Sequence, residues 1–221
     1  HVEVEARLRR GEDDAALIEY LGEERYRELQ VLAQQAARAT RRGGVRPRVY
    51  ILPGIMGSTL GRKRKFLDDT LWVDPLEIAL GRLTLLALPD GGRNTALGVL
   101  LIAYLKLKLT LEAAGFDAVF HAYDWRQSVD VLGAELMRRV EADGAENVAL
   151  VAHSMGGLVA RAAIALDGRR KIAKLVMLGT PNFGSFAPVQ AMRGTYSSVR
   201  AIAALDLKHS PESLARRVFT T

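Results

Sequence analysis

The stretch Asn-Val-Ala-Leu-Val-Ala-His-Ser-Met-Gly-Gly-Leu-Val-Ala-Arg, residues 147–161, decides the fold. Its first half is apolar and rich in β-formers and its second half can continue as a helix, which predicts a strand, a tight turn and a helix. Ser154 lies in the turn among the small residues Ala152, Gly156 and Gly157. Small residues are needed there because the strand and helix backbones pass close to the turn. The pattern is a variant of G-x-S-x-G, with alanine first, and predicts a nucleophile elbow that exposes a serine hydroxyl above a sheet.

The composition indicates a folded chain with a sizeable core. The 221 residues are 49% hydrophobic, and 31 Lys and Arg against 25 Asp and Glu give a formal charge of +6. That charge suits acidic partners or anionic lipid surfaces. No aromatic-and-basic motif accompanies it, so we expect solvated basic faces and no nucleic-acid partner. There is no cysteine and the four histidines form no ligand spacing, so we expect no metal and no cofactor.

Cellular location and oligomeric state stay open at this point. The chain begins with His1 and shows no signal-peptide architecture, which leaves open whether residues precede it. The absence of cysteine suits a cytoplasmic protein without excluding a secreted one. Lys106 and Lys108 interrupt the apolar run around residues 96–112 before it reaches the roughly 20 residues that a membrane span needs, so we expect no transmembrane helix.

Residues 1–44 are predicted to form an N-terminal helical segment. The sequence is helical in character from Asp13 to about Arg42, and Gly22 is a break between two helices. The second helix carries an apolar stripe at intervals of three and four residues, which we expect to pack against the following domain: Tyr26, Leu29, Ala33, Ala36 and Thr40. The glycine- and arginine-rich residues 41–48 indicate a linker. We therefore predict a second domain at residues 45–221.

Strands alternate with helices along this second domain. We expect strands at Val49–Leu52, Phe116–Ala122 and Ile172–Gly179 besides the one before Ser154, and helices at Ala96–Glu112 and Val129–Glu141. This alternation predicts an α/β fold with a mostly parallel sheet flanked by helices. The first strand ends in a glycine-rich turn at 53–58, a suitable place for the exposed backbone N–H groups that an oxyanion hole requires.

Two segments are predicted as insertions around this core. Residues from about 60 to 95 contain the basic run Arg62–Lys65, Trp72 and an apolar stretch that reaches Leu88. Apolar segments inserted between core strands often form a lid over an apolar substrate. Ordinary core packing is an equally open alternative. The basic run could contact lipid headgroups, although a solvated loop is favoured. Residues from Val189 to Arg217 look helical in pieces, and the segment from about 186 to 221 is predicted as the start of a cap.

Four motifs, in order and at matching spacing, resemble the lecithin:cholesterol acyltransferase family and related bacterial α/β-hydrolase lipases. They are Pro-Gly-Ile-Met-Gly-Ser at 53–58, Tyr-Asp-Trp-Arg at 123–126, Val-Ala-His-Ser-Met-Gly-Gly at 151–157 and Leu-Gly-Thr-Pro-Asn-Phe-Gly-Ser at 178–185. The resemblance implies an α/β-hydrolase fold with lid and cap insertions, over roughly residues 48–190. It makes Ser154 the nucleophile and the backbone N–H groups of Ile55 and Met155 the oxyanion donors.

Three further assignments follow from the same resemblance. Trp72 falls where the family often has lid or membrane-facing residues. His153 occupies an x position of the motif, so we interpret it as a turn residue beside the nucleophile and not as the catalytic base. Asp124 and Arg126 are interpreted as structural residues that hold the loop after their strand.

The implied chemistry is acyl transfer through a Ser154 acyl-enzyme, and it requires a histidine base and a carboxylate. In this fold the acid and the histidine follow the serine along the chain. After Ser154 the acidic residues are Asp167, Asp206 and Glu212, and the one histidine is His209. Asp206 and His209 lie three residues apart in the cap segment, which disfavours them as the catalytic pair. We therefore expect the acid and base beyond residue 221, and a chain that alone does not hydrolyse p-nitrophenyl esters.

Several functions remain open. The main hypothesis is an O-acyltransferase or a lipase or phospholipase acting on lipid esters, with transient contact to a membrane surface. One alternative is a catalytically dead α/β-hydrolase-like binding module that keeps the fold without the triad. Another is a carboxylesterase, thioesterase or amidase that acts on soluble substrates. Acyl donor, acceptor and chain length are not specified by these residues.

Overall fold

The computed structural model describes residues 2–11, 14–41, 43–65 and 68–219. Asp13 and Arg42, the predicted ends of the N-terminal helices, lie outside the described residues. By its internal contacts the chain forms two compact units. The first unit comprises His1–Gly57, Val99–His121 and Val129–Thr180, and the second comprises Ser58–Gly98, Ala122–Ser128 and Pro181–Thr221. The predicted division into residues 1–44 and 45–221 stays a prediction.

The helices and strands follow one another in this order along the described residues: α1 (Val2–Arg10), α2 (Ala15–Leu21), α3 (Glu23–Arg41), β1 (Arg48–Leu52), β2 (Ser58–Arg62), β3 (Asp69–Trp72), α4 (Pro75–Ala79), a 3₁₀ helix (Arg82–Leu86), β4 (Thr95–Val99), α5 (Leu101–Ala113), β5 (Asp117–Phe120), α6 (Val129–Ala142), β6 (Val148–His153), α7 (Met155–Leu166), β7 (Ile172–Leu178), α8 (Ala187–Met192), α9 (Ser197–Ala203) and α10 (Pro211–Phe219).

The first unit is built on a parallel sheet with the strand order β5-β1-β6-β7. Tyr50 of the central strand β1 pairs with Val119 on one side and Leu150 on the other. Strand β1 reads Arg-Val-Tyr-Ile-Leu and is buried from Val49 to Leu52, as parallel strands covered on both faces require. Helix α7 packs on the sheet and on α6. Helix α5 contacts β5 and also packs against α3. The predicted parallel sheet flanked by helices is confirmed.

The N-terminal helices belong to this first unit. Asp14 caps α2 by accepting the backbone N–H of Leu17, and Gly22, at φ 83°, ends that helix at the predicted break. Four of the five stripe residues of α3 are buried and only Thr40 is exposed; Tyr26, Leu29 and Ala33 pack in one cluster with residues of α5 and with Leu8 of α1. The predicted packing of this stripe on the following part of the chain is therefore confirmed. Helix α1 lies inside the predicted helical segment 1–44, but before Asp13, where the first individual helix was expected to begin.

The second unit contains a smaller sheet with the strand order β3-β2-β4, in which β2 and β3 run antiparallel. Helices α4, α8, α9 and α10 belong to this unit. The segment from about 60 to 95 therefore forms strands, a short helix and a 3₁₀ helix, and its role as a lid stays a prediction. Three short helices, α8, α9 and α10, lie between Ala187 and Phe219, as the pattern of that segment predicted.

The predicted helix Ala96–Glu112 is wrong in its first part. Thr95–Val99 forms β4, which lies beside β2, and the helix begins only at Leu101. The apolar residues of 95–99 fit a helical pattern equally well, and the choice of strand depends on a neighbour that is distant in sequence. The same dependence explains why β2 and β3 were missed.

Candidate active site

Ser154 lies between β6 and α7, at the turn that the sequence predicted. Its backbone has φ 51° and ψ −123°, a conformation that L-residues with a side chain rarely adopt. The Ser154 N–H donates to the carbonyl of Leu178 at 2.8 Å, and the Gly157 N–H donates to the carbonyl of Ser154 at 3.0 Å. These bonds hold the serine in a strained strand-to-helix turn, the geometry of a nucleophile elbow.

The small residues around Ser154 are required by close approaches of neighbouring groups. A Cβ atom at Gly156 would lie 2.5 Å from the carbonyl oxygen of Pro53, and one at Gly157 would lie 1.9 Å from the Oγ1 of Thr180. Helix α7 therefore begins in contact with the turn after β1 and with the end of the loop after β7. Neither contact could form with a larger residue at these two positions.

The glycine-rich turn after β1 lies against the serine. A Cβ atom at Gly54 would be 3.0 Å from the Cβ of Ser154. The turn is closed by the Gly57 N–H, which donates to the Gly54 carbonyl at 3.0 Å, and Met56 has φ 61°. The Pro53–Gly57 turn and the Ser154 turn are thus brought together within the first unit.

The two predicted oxyanion donors lie on these two turns. The Ile55 N–H has no hydrogen-bond partner within the described part of the chain. Met155 is the first residue of α7, so its N–H has no carbonyl partner within the helix. Free N–H groups on the two turns beside Ser154 are what an oxyanion hole requires. Their role as donors stays a prediction.

Tyr104 of α5 contacts both turns and was not singled out from the sequence. Its side chain is only 7% exposed, and its phenol oxygen accepts the Gly54 N–H at 2.9 Å. The same oxygen lies 3.0 Å from Nδ1 of His153. Burial raises the pKa of Tyr104, against the lowering effect of the Gly54 N–H. No sequence signal pointed to this contact, because it joins residues 50 positions apart.

Asp124 and Arg126 form a network within the second unit. Arg126 contacts Asp124 at 2.6 Å and Asp90 at 3.0 Å, and it donates to the carbonyl of Leu86 at 2.8 Å. The Arg126 side chain is 5% exposed. Burial acts to lower the pKa of this guanidinium, but the two carboxylates leave that pKa raised. The contacts fit the predicted structural role, in which the pair holds the loop after β5.

Trp72 is buried in the second unit and does not face solvent. It is 6% exposed, and its ring meets the ring of Trp125 edge-on with the centroids 5.6 Å apart. Both rings line a small apolar cavity of about 20 Å³, enough for about one water molecule. A role for Trp72 in a lid or in substrate binding stays a prediction.

The acidic residues and the histidine that follow Ser154 make local contacts. Asp167 accepts the backbone N–H groups of Lys171 and Ile172. Asp206 accepts two backbone N–H groups, and one of its oxygens lies 3.0 Å from Nδ1 of His209. Burial acts to raise the pKa of Asp206, but the hydrogen bonds from residues 208 and 209 leave it lowered. This pair lies in the second unit and Ser154 in the first.

Metal sites and membrane spans are absent from the described part of the chain. Among residues 2–11, 14–41, 43–65 and 68–219, no group of three or more His, Cys, Asp or Glu could hold a metal ion. No helix in the same ranges is long and apolar enough to cross a membrane.

The parallel sheet, its flanking helices and the turn at Ser154 define an α/β fold similar to that of lipase-like α/β hydrolases. Residues 109–218, which include Ser154, match the family model described as a PGAP1-like alpha/beta domain. The chain is also similar to the crystal structure of Bacillus licheniformis lipase BlEst2 in its mature form, at 17% identity over 80% of this chain with a TM-score of 0.41.

The chain spans 57% of the length of that lipase. A search of curated proteins gave no match. None of these findings confirms the resemblance to the lecithin:cholesterol acyltransferase family, which stays a prediction. The family-model match supports the coarser interpretation, which concerns the fold: an α/β domain similar to that of lipase-like α/β hydrolases.

Proposed function

We propose that the protein transfers acyl groups from lipid esters through a Ser154 acyl-enzyme, as a lipase, phospholipase or O-acyltransferase. One observation carries this proposal: Ser154 has φ 51° at a strand-to-helix turn, and the glycine turn at Gly54 lies directly against it. Backbone strain of this kind is retained where the surrounding structure enforces it, which is common at nucleophiles.

In the proposed reaction the Ser154 oxygen attacks the ester carbonyl and expels the alcohol, leaving an acyl group on the serine. The N–H groups of Ile55 and Met155 would stabilise the tetrahedral oxyanion, and loss of one such donor costs about 3 kcal/mol in hydrolases. A histidine base and a carboxylate are also needed. We propose that neither is among residues 1–221. Water as the acceptor gives a fatty acid, and a lipid alcohol gives a new ester.

The exposed face of α8 supports a lipid substrate. Phe186, Val189 and Met192 lie on one side of this helix and are 44–84% exposed, whereas Ala191 on the other side is buried at 8%. Within the second unit, residues 181–205 contain Arg193 and Arg200 and no acidic residue. An apolar helix face within a basic segment suits an anionic lipid surface. We call Phe186, Val189 and Met192 the α8 face.

The test uses the product of the whole gene with a fluorophosphonate probe and with micellar and monomeric esters. Ser154→Ala should abolish both labelling and turnover, while Ser197→Ala, at an exposed serine of α9, should change neither. Labelling that survives in Ser154→Ala would overturn the proposal. A protein that never labels would support the alternative of a dead binding module, and equal turnover of micellar and monomeric esters would favour a carboxylesterase or thioesterase.

A further inference from the structure

The N-terminal part of helix α5 contacts both ends of the Pro53–Gly57 turn that lies beside Ser154. The Leu100 N–H, directly before the helix, donates to the Gly57 carbonyl at 3.0 Å. One helical turn later, the Tyr104 phenol oxygen accepts the Gly54 N–H at 2.9 Å. A Cβ atom at Gly57 would lie 2.8 Å from that phenol oxygen, so the turn fits closely against it. The position of Ile55, which lies between Gly54 and Gly57, is therefore set by α5.

The same phenol also contacts the residue before Ser154. The Tyr104 oxygen lies 3.0 Å from Nδ1 of His153, with the two ring centroids 5.9 Å apart. Because the oxygen accepts the Gly54 N–H, its own proton is free to donate. Among the described residues, His153 Nδ1 is the acceptor within hydrogen-bonding distance of this phenol. Donation to Nδ1 requires the tautomer of His153 that carries its proton on Nε2.

We propose that Tyr104 is a positioning residue that joins the Pro53–Gly57 turn, which carries the proposed oxyanion donor Ile55, to the Ser154 turn. It does so through its contacts with Gly54 and His153. The proposal rests on the proposed roles of Ser154 and Ile55, which neighbour these two residues in the chain. It also gives His153 a function: its Nδ1 lone pair is used by Tyr104, so His153 orients the nucleophile turn and is not the base.

The test is Tyr104→Phe, which keeps the buried ring and removes only the hydroxyl. Tyr50→Phe is the matched control, because Tyr50 is also buried in the first unit and its hydroxyl donates to Asp143 at 2.6 Å. A general loss of stability from removing a buried hydroxyl should be seen in both variants. Local loosening of the two turns should be seen in Tyr104→Phe alone.

The first readout is NMR on this chain and needs no catalysis. In Tyr104→Phe the Gly54 amide should exchange with solvent about 5-fold faster, because a neutral hydrogen bond contributes about 1 kcal/mol and 1.4 kcal/mol corresponds to a factor of about 10. Long-range ¹⁵N spectra should show His153 with its proton on Nε2 in the wild type and as a mixture of tautomers in the variant. Unchanged Gly54 exchange, or a wild-type His153 protonated on Nδ1, would overturn the proposal.

The second readout is steady-state kinetics of the whole-gene product. Tyr104→Phe should lower kcat about 10-fold or more while KM stays within about 2-fold, because the turns stabilise the oxyanion and not the bound ester. Tyr50→Phe should leave kcat unchanged. A normal kcat in Tyr104→Phe would overturn the positioning role. If Ser154→Ala retained activity while the NMR results held, the proposed function would fail and the contact between the two turns would stand.

Discussion

Replacement of Lys108 by Met should destabilise the first unit strongly, because it would leave two buried carboxylates without their main partner. The Lys108 Nζ lies 2.6 Å from Glu5 of α1 and 2.8 Å from Glu112 of α5, and all three side chains are at most 10% exposed. Arg9 also contacts both carboxylates, at 3.3 and 3.1 Å, but it is 40% exposed. The network joins the first helix of the chain to the helix that supports the glycine turn.

The magnitude follows from this burial. Removing one partner of a buried ion pair costs about 3–5 kcal/mol, and we expect the lower end, about 3 kcal/mol, because Arg9 still neutralises part of the charge. Lys106→Met is the matched control on the same helix. Lys106 pairs with Glu28 on the surface, where both side chains are about half exposed, so its loss should cost less than about 1 kcal/mol. Lys and Met have similar helix propensities, which removes that difference from the comparison.

Urea denaturation followed by far-ultraviolet circular dichroism measures the effect. Lys108→Met should lower the midpoint by on the order of 1 M, and Lys106→Met should lower it by a few tenths at most. Adding Glu5→Gln to Lys108→Met should recover part of the lost stability, because it removes one of the two buried carboxylate charges that Lys108 no longer neutralises. Equal losses in the two lysine variants would refute the argument and would mean that water reaches the Glu5 and Glu112 carboxylates.

Three other perturbations test other parts of the molecule. Gly157→Ala should cost about 1–3 kcal/mol of stability, because its Cβ would lie 1.9 Å from Thr180 Oγ1. Gly168→Ala, in open space, should cost little, and a thermal melt of both variants checks the difference. Burial lowers the pKa of His121 to about 4 from 6.5, so the unfolded chain binds a proton in that interval that the folded chain excludes. Stability should therefore fall by up to about 3 kcal/mol from pH 7 to pH 4, and a His121→Asn variant, measured by urea titration at both pH values, should lose most of that slope. Phe186→Asp should reduce co-sedimentation with vesicles of anionic phospholipid several-fold, and unchanged binding would exclude the α8 face as the contact.

The sequence predicted those features that follow from local rules. The strand before Ser154, the small residues after it and the helix that follows lie within one short stretch, and each favours the same structure. The packing of α3 was predictable for a similar reason, since an apolar stripe at helical spacing has to be covered by a neighbouring element.

Features that depend on distant partners could not be predicted. Thr95–Val99 forms a strand because it lies beside β2, more than thirty residues earlier in the chain. Trp72 is buried because its ring meets Trp125. In the candidate site, Tyr104 was visible only as one apolar residue of a helix, and its contact with Gly54 depends on how α5 packs against the end of β1.

The structure also explains why the first position of the G-x-S-x-G pattern can be alanine here while the last is glycine. Ala152 is fully buried, yet it pairs in regular parallel register with Leu52 and Met177, so its methyl group occupies an ordinary strand position. At Gly156, in contrast, a methyl group would lie 2.5 Å from the Pro53 carbonyl oxygen, and moving that carbonyl would displace the turn that presents Ile55. The departure from the usual pattern therefore falls at the position where a Cβ can be accommodated, and the glycine is kept where the Pro53–Gly57 turn and α7 meet.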